Sequence, residues 1–274
     1  MKSAFLGSRV FCIGLLVSGL IASCATSPLG RKQLILLPDN QMNSLGSQSF
    51  QELKAKTPVE RDPRINAYVQ CIAQGILRAM SDGGQVDARN WEVIVFRDAT
   101  PNAFALPGGK IGVHTGILPV AKTPDQLAAV MGHEVGHVIA RHGNERVSQG
   151  QVAAIVMGVS QVALKDMKQQ EKALIIAGLG AGVQFGALLP FSRSHESEAD
   201  LIGLDLMAKA GFNPEESVEL WKNMSASAGG SPPEWMSTHP SSDTRIANLK
   251  SRIPSVMPAY QSALDARGRP TCHL

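Results

Sequence analysis

The chain has 274 residues, 44% hydrophobic and 18% charged, which suits one sizeable core or two small domains and excludes a disordered protein. Four cysteines exclude a disulfide-built miniprotein, and 5% aromatic residues argue against a base-stacking platform. The formal charge is +3, but Lys2 and Arg9 sit in a leader; without them the balance is about +1, so charge gives no reason to expect nucleic acid.

The leader comes first. Lys2 and Arg9 flank or precede Val10–Ile21, an uncharged apolar run that suits a secretory signal and is short for a membrane span of about 20 residues. It ends in Ile21-Ala22-Ser23-Cys24, small residues before a cysteine as in a bacterial lipobox. This predicts removal of residues 1–23 and lipidation at Cys24; an ordinary signal peptide with a chance cysteine is the plainer alternative. Ala25, rather than Asp, resembles lipoproteins sorted to the outer membrane, so a periplasmic, lipid-anchored protein is expected. Cys12 leaves with the leader, and Cys71 and Cys272 remain in an oxidising compartment. A disulfide pinning the C-terminal tail to an N-terminal helix is expected, against the alternative of two buried thiols.

Residues 24–36 read as a tether, and 37–274 as a single domain with a C-terminal tail. Asp39 or Asn40 caps a helix to about Lys56. Asp62-Pro63 starts a second, to about Met80, with Ile65, Val69, Ile72, Ile76 and Leu77 on one face. A strand follows over about 91–96, then a hairpin over about 103–114 turning at Pro107-Gly108-Gly109. Thr123-Pro124-Asp125-Gln126 is a strong helix start, with a capping threonine, proline at the first helical position and a glutamine able to reach back. That helix is expected to run to about Gly143. Residues 151–192 read as two helical segments, and a helix over about 194–210 stops at Gly211. Another helix starts at Asn213-Pro214, Gly229 to Pro233 is a loop, and a last helix begins near Pro240 and carries Arg245. The fold class is α+β, mostly helical.

His133-Glu134-Val135-Gly136-His137 lies inside the best-capped helix. A spacing of four, at about 100° per residue, sets the two imidazoles about 40° apart and one turn along the same face. Both can reach one zinc ion, with Glu134 beside them to hold the attacking water. Glu196 and Asp200, four apart on another helix, supply a third ligand and a carboxylate behind His133. Glu198 reads as solvent or salt-bridge material, and His195 as a surface residue. His142, five after His137, falls about 140° around a continuous helix and so cannot join the same metal; it reads as a helix-end residue. His239 and Arg245 can both lean over the metal from a loop and a helix.

These residues resemble the gluzincin metallopeptidases of the HtpX and CaaX-prenyl-protease type. The resemblance is carried by Asn102-Ala103-Phe104-Ala105-Leu106-Pro107-Gly108-Gly109, by His133 to His137, by Ser192-Arg193 with Glu196 to Asp200, and by Thr238-His239-Pro240 with Arg245. It spans roughly residues 35–255 and implies a zincin-like peptidase domain with one zinc ion. It further implies ligation by His133, His137 and Glu196, with Glu134 as general base. His239 and Arg245 would stabilise the oxyanion, or His239 would fill the open metal position in a resting state. Asn102 would lie on the substrate side, where a plain turn residue is the alternative. Some members of this type are integral to the membrane. Here one crossing between His137 and Glu196 would put two ligands on opposite faces, so 151–192 is expected to form a helical hairpin that shields the site.

The strand around Gly109 to Thr115, with Gly109, Ile111 and Val113, is the expected edge for an extended substrate. The expected reaction is hydrolysis of peptide bonds in misfolded or stalled envelope proteins. The rival readings are a chaperone or assembly factor for outer-membrane proteins with latent or minor proteolysis, and a zinc-stabilised structural domain. Expected partners are unfolded polypeptides, the membrane through Cys24 and, by resemblance, an outer-membrane assembly machinery or a sister peptidase.

Overall fold

The computed structural model describes residues 24–81, 90–163, 169, 193–227, 239 and 243–274. The leader and most of the expected 151–192 hairpin, from 164 on, lie outside the described residues, as does the loop from Gly229 to Pro233. No described helix is long and apolar enough to cross a membrane. The chain divides into two compact units, Met1–Pro38 with Asn144–Leu188, and Asp39–Gly143 with Leu189–Leu274.

In the first unit, the segment read as a tether forms a small hairpin. Strand β1 (Cys24–Thr26) pairs antiparallel with β2 (Lys32–Leu34), turning through Gly30 at a φ of 87°. Its anchor is Glu145, a buried carboxylate that accepts a forked pair of bonds from Arg31 at 2.8 and 2.7 Å and a third from Gln33 at 3.1 Å. A charge pair this geometrically matched needs such extra donors to offset its desolvation.

The second unit holds helices α1 (Asp39–Lys56) and α2 (Pro63–Ser81), and strands β3 (Glu92–Phe96), β4 (Ala103–Leu106) and β5 (Lys110–His114). Helices α3 (Pro124–Ile139), α5 (Arg193–Ala210), α6 (Glu216–Ser227) and α7 (Asp243–Arg267) complete it; α4 (His142–Ala163) begins here and continues in the first unit. The expected apolar face of α2 is in the core, where Val69, Ile72 and Ile76 are fully buried. Cys71 on α2 is joined to Cys272, with 5.7 Å between Cα atoms, so the disulfide pins the C-terminal tail as expected.

The sheet has the order β3-β5-β4, with β3 parallel and β4 antiparallel to β5. The hairpin turn rests on Gly108 and Gly109, at φ of 83° and 71°, a backbone region glycine enters without a Cβ clash. This order corrects one expectation. β5 is the central strand, both of its sides are hydrogen-bonded, and Ile111 and Val113 are 1% and 0% exposed. Gly109 is likewise engaged, its carbonyl accepting from the Glu92 N–H. None of the three can offer an edge to substrate; among the described residues the outer edge beside the hairpin belongs to β4.

Helix α3 starts as its sequence dictates. Thr123 is extended, its Oγ1 accepts from the Gln126 N–H at 3.1 Å, and the Gln126 side chain reaches back to the Lys122 N–H. Every residue from Asp125 to His137 is buried. The glycines set how closely α3 meets α5: a Cβ on Gly136 would lie 2.8 Å from the Ala199 carbonyl oxygen, and one on Gly203 would lie 2.7 Å from the His133 backbone nitrogen. This close approach brings the His133–His137 turn within reach of α5. The helix stops at Ile139, short of the expected Gly143. Arg141 takes the left-handed conformation at a φ of 57°, beside an ion pair to Asp39, and α4 starts afresh at His142.

Candidate metal centre

Four side chains converge. His133, His137, Glu196 and His239 each offer one ligand atom, all within 4.8 Å of one another and all buried. His133 Nε2 and His137 Nε2 are 3.0 Å apart, and the Glu196 oxygens lie 3.4 Å from each. His239 presents Nδ1, 3.2 Å from His133 Nε2 and 3.1 Å from both Glu196 oxygens. A tetrahedral ion bound through nitrogen and oxygen spaces its ligand atoms by about 3.4 Å, so the set fits one metal ion. Glu134 is also buried and lies beside the cluster, its Oε1 3.6 Å from His239 Nε2.

Behind the cluster sits a second layer. Asp200 Oδ1 is 2.8 Å from His133 Nδ1, the position expected of it. Arg245, 2% exposed, donates from Nε and Nη2 to the two Asp200 oxygens, each at 2.6 Å, while Nη1 lies 2.8 Å from Glu196 Oε2. Trp221 covers the guanidinium, its ring centroid 3.9 Å from Cζ. Arg245 is therefore a clamp on the two carboxylates; the expected oxyanion role does not suit donors already committed to them. Asn102 precedes β4, where its carbonyl accepts from the His114 N–H and extends the ladder.

The charges order the protonation states. Burial works to lower the His133 pKa, but the hydrogen bonds and charges of Asp200 and Glu196 outweigh it and push it up to about 9. His137 goes the other way: burial, then the neighbouring His133, His239, His142 and Arg245, hold it well below the ordinary imidazole range. Burial opposes ionisation of Glu196, yet bonds from His133 and His239 bring it well below the usual carboxylate range. Asp200 is also lowered, against burial, chiefly by Arg245.

The sequence pattern of Peptidase family M48 matches residues 63–253, more than half of the chain. The chain belongs to peptidase family M48. The match agrees with the motif resemblance read from the sequence. Among relatives, the mitochondrial metalloendopeptidase OMA1 of Schizosaccharomyces pombe is 36% identical over 212 residues, covering 77% of this chain and 60% of its own length. Human metalloendopeptidase OMA1, mitochondrial, is 30% identical over 242 residues, 84% of this chain and 46% of its own. The beta-barrel assembly-enhancing protease of Escherichia coli is 26% identical over 260 residues, 92% and 52%. The chain thus spans about half the length of these relatives.

This M48 site also contains residues that sequence reasoning misplaced. His142 is fully buried, with Nδ1 2.9 Å from His137 Nδ1 and Nε2 3.0 Å from Glu198 Oε2. His195, read as a surface residue, is 3% exposed and stacks on His142 with centroids 4.4 Å apart at 25°. Glu198, read as solvent or salt-bridge material, takes the second role, 5% exposed and paired with His142. The helical arithmetic rightly keeps His142 out of the metal cluster, but it assumes a continuous helix; Arg141 breaks that helix, and His142 comes against His137. One sequence signal is the middle acid of Glu196-x-Glu198-x-Asp200, whose salt-bridge reading has no partner in sequence and finds one in His142.

Proposed function

We propose that the chain is a zinc-dependent metalloendopeptidase acting on unfolded or misfolded polypeptides of the cell envelope, lipid-anchored at Cys24 on the periplasmic side, with the outer membrane as its site. The observation that carries this reading is the buried four-residue cluster with Glu134 at its side. His133, His137 and Glu196 would hold the zinc, which supplies Lewis-acid polarisation and a more acidic attacking water. Glu134, beside the cluster, would act as the general base toward an attacking water and return the proton to the leaving amine. Arg245 pairs with Glu196 and helps hold it ionised, and Asp200, at His133 Nδ1, turns the Nε2 of that ring toward the ion. The outer edge of β4 is the strand on which an extended substrate would pair, with Asn102 at its start.

His239 fills the fourth corner of the cluster and must withdraw before substrate enters, which supports a latent resting state. The same closed set is what a zinc-stabilised structural domain would show, and a latent site leaves room for the second reading, a chaperone or assembly factor with minor proteolysis.

The test is cleavage of casein by lipid-free protein starting after Cys24. Wild type is expected to cut, with Glu134→Gln reduced at least about a hundredfold and a chelator-treated sample silent. His239→Ala is expected to relieve latency. Cleavage untouched by Glu134→Gln contradicts the mechanism, and silence of both wild type and His239→Ala leaves the second reading.

A further inference from the structure

We infer that His142, itself held by Glu198, is a positioning residue that fixes the ring of His137 and the nitrogen it presents to the metal. The inference rests on the metal-binding reading above and assigns a task to residues that reading leaves idle.

With His137 Nε2 as a metal ligand, the geometry gives one hydrogen-bond order. His137 directs Nε2 into the cluster, toward His133 Nε2 and Glu196 Oε1. A metal-binding nitrogen carries no proton, so a neutral His137 carries its proton on Nδ1. That N–H has His142 Nδ1 at 2.9 Å as its acceptor. His142 Nδ1 is then bare, its proton sits on Nε2, and that N–H donates to Glu198 Oε2 at 3.0 Å. The reverse order would have His142 Nδ1–H donate to His137 Nδ1, leaving a proton on His137 Nε2 inside the ligand cluster. Glu198 Oε2 is placed to accept from His142 Nε2–H, which supports the first order.

The backbone is arranged to make this contact. On a continuous helix His142 would stand about 140° around and about 7.5 Å along from His137. The left-handed Arg141 ends α3 and returns His142 beneath His137. The stacked ring of His195 covers the His142 face. Glu198 and His195 both come from α5, the helix that also carries Glu196, so one element sets a ligand and the support of another.

The experiment measures zinc affinity by chelator competition, and thermal stability of the metal-free form, for lipid-free wild type, His142→Phe and Glu198→Gln. His142→Phe keeps a flat ring beside His195 but removes the acceptor, and is expected to weaken zinc binding 10–100-fold, the usual effect of losing such a support. Glu198→Gln can still accept through its amide oxygen and is expected to stay within about threefold. In zinc-loaded wild type, nitrogen-15 histidine spectra are expected to show His137 protonated on Nδ1 and His142 on Nε2. Equal zinc affinity in wild type and a folded His142→Phe overturns the inference alone, as does a His142 protonated on Nδ1. Should His142→Phe not fold, the wild-type spectra decide. A wild type that binds no zinc overturns both the inference and the reading beneath it, whereas zinc binding without casein cleavage removes only the peptidase.

Discussion

The two histidines of α3 stand one helical turn apart and point at one centre, yet they are backed in opposite ways. His133 leans directly on Asp200, which Arg245 grips with two bonds. His137 leans on a second imidazole, His142, and meets a carboxylate only beyond it. The electrostatic result differs in sign. The carboxylates hold His133 up to about 9 against burial, while burial and cationic neighbours hold His137 well below the ordinary range. A site that must gather three imidazoles, three carboxylates and an arginine in a dry interior gains by this asymmetry. If both imidazoles were carboxylate-backed, both would retain protons that a metal must displace.

The largest expected effect comes from breaking the His133 side. Asp200→Ala leaves the buried guanidinium of Arg245 with Glu196 alone, and breaking a buried pair of this kind costs about 3–5 kcal/mol. Denaturant unfolding of the metal-free protein checks this; a loss under about 1 kcal/mol would show that Arg245 is not a charge that needs Asp200. His142→Phe removes a hydrogen-bond partner rather than a counter-charge, so by the same measurement it is expected to cost less, about 1–3 kcal/mol. Equal costs would erase the contrast between the two sides.

The smallest effect concerns the bend that delivers His142. Arg141→Gly frees a left-handed residue worth about 1 kcal/mol of strain and gives up an exposed ion pair to Asp39 that contributes about as little. Net stability and casein cleavage are therefore expected to change little. Arg141→Val, stiff at Cβ, is expected to lose about 1–2 kcal/mol and to weaken zinc binding through His142. A glycine variant as damaged as the valine one would mean that the guanidinium, not the backbone, sets the bend.

Much of this was legible in the residues. Thr123, Pro124 and Gln126 announce the start of α3, because capping is local chemistry; the spacing of His133 and His137, and of Glu196 and Asp200, follows from helical pitch. The Cys71–Cys272 bridge followed from elimination. What was illegible depended on tertiary choices. Alternation cannot say that β3 crosses over to pair with β5, and that pairing makes β5 central where the sequence suggests an edge. Arg141 is an ordinary helix former, and nothing local marks it as the left-handed break that turns His142 inward. Arg245 was placed at the metal but given the wrong partner, since sequence spacing cannot tell an oxyanion donor from a carboxylate clamp.

The asymmetry can be counted in protons. With its pKa above the ordinary 6.5, His133 contributes stability to the metal-free fold that is full below 6.5 and fades as pH rises through about 9. Zinc binding runs the other way, gaining strength with pH until His133 is bare. The deciding measurement is calorimetric titration of zinc into metal-free protein at pH 7.5, in two buffers of different ionisation heat. Net release of protons on zinc binding is expected, since the carboxylates hold His133 above its ordinary value. Release of none would contradict the carboxylate backing of His133.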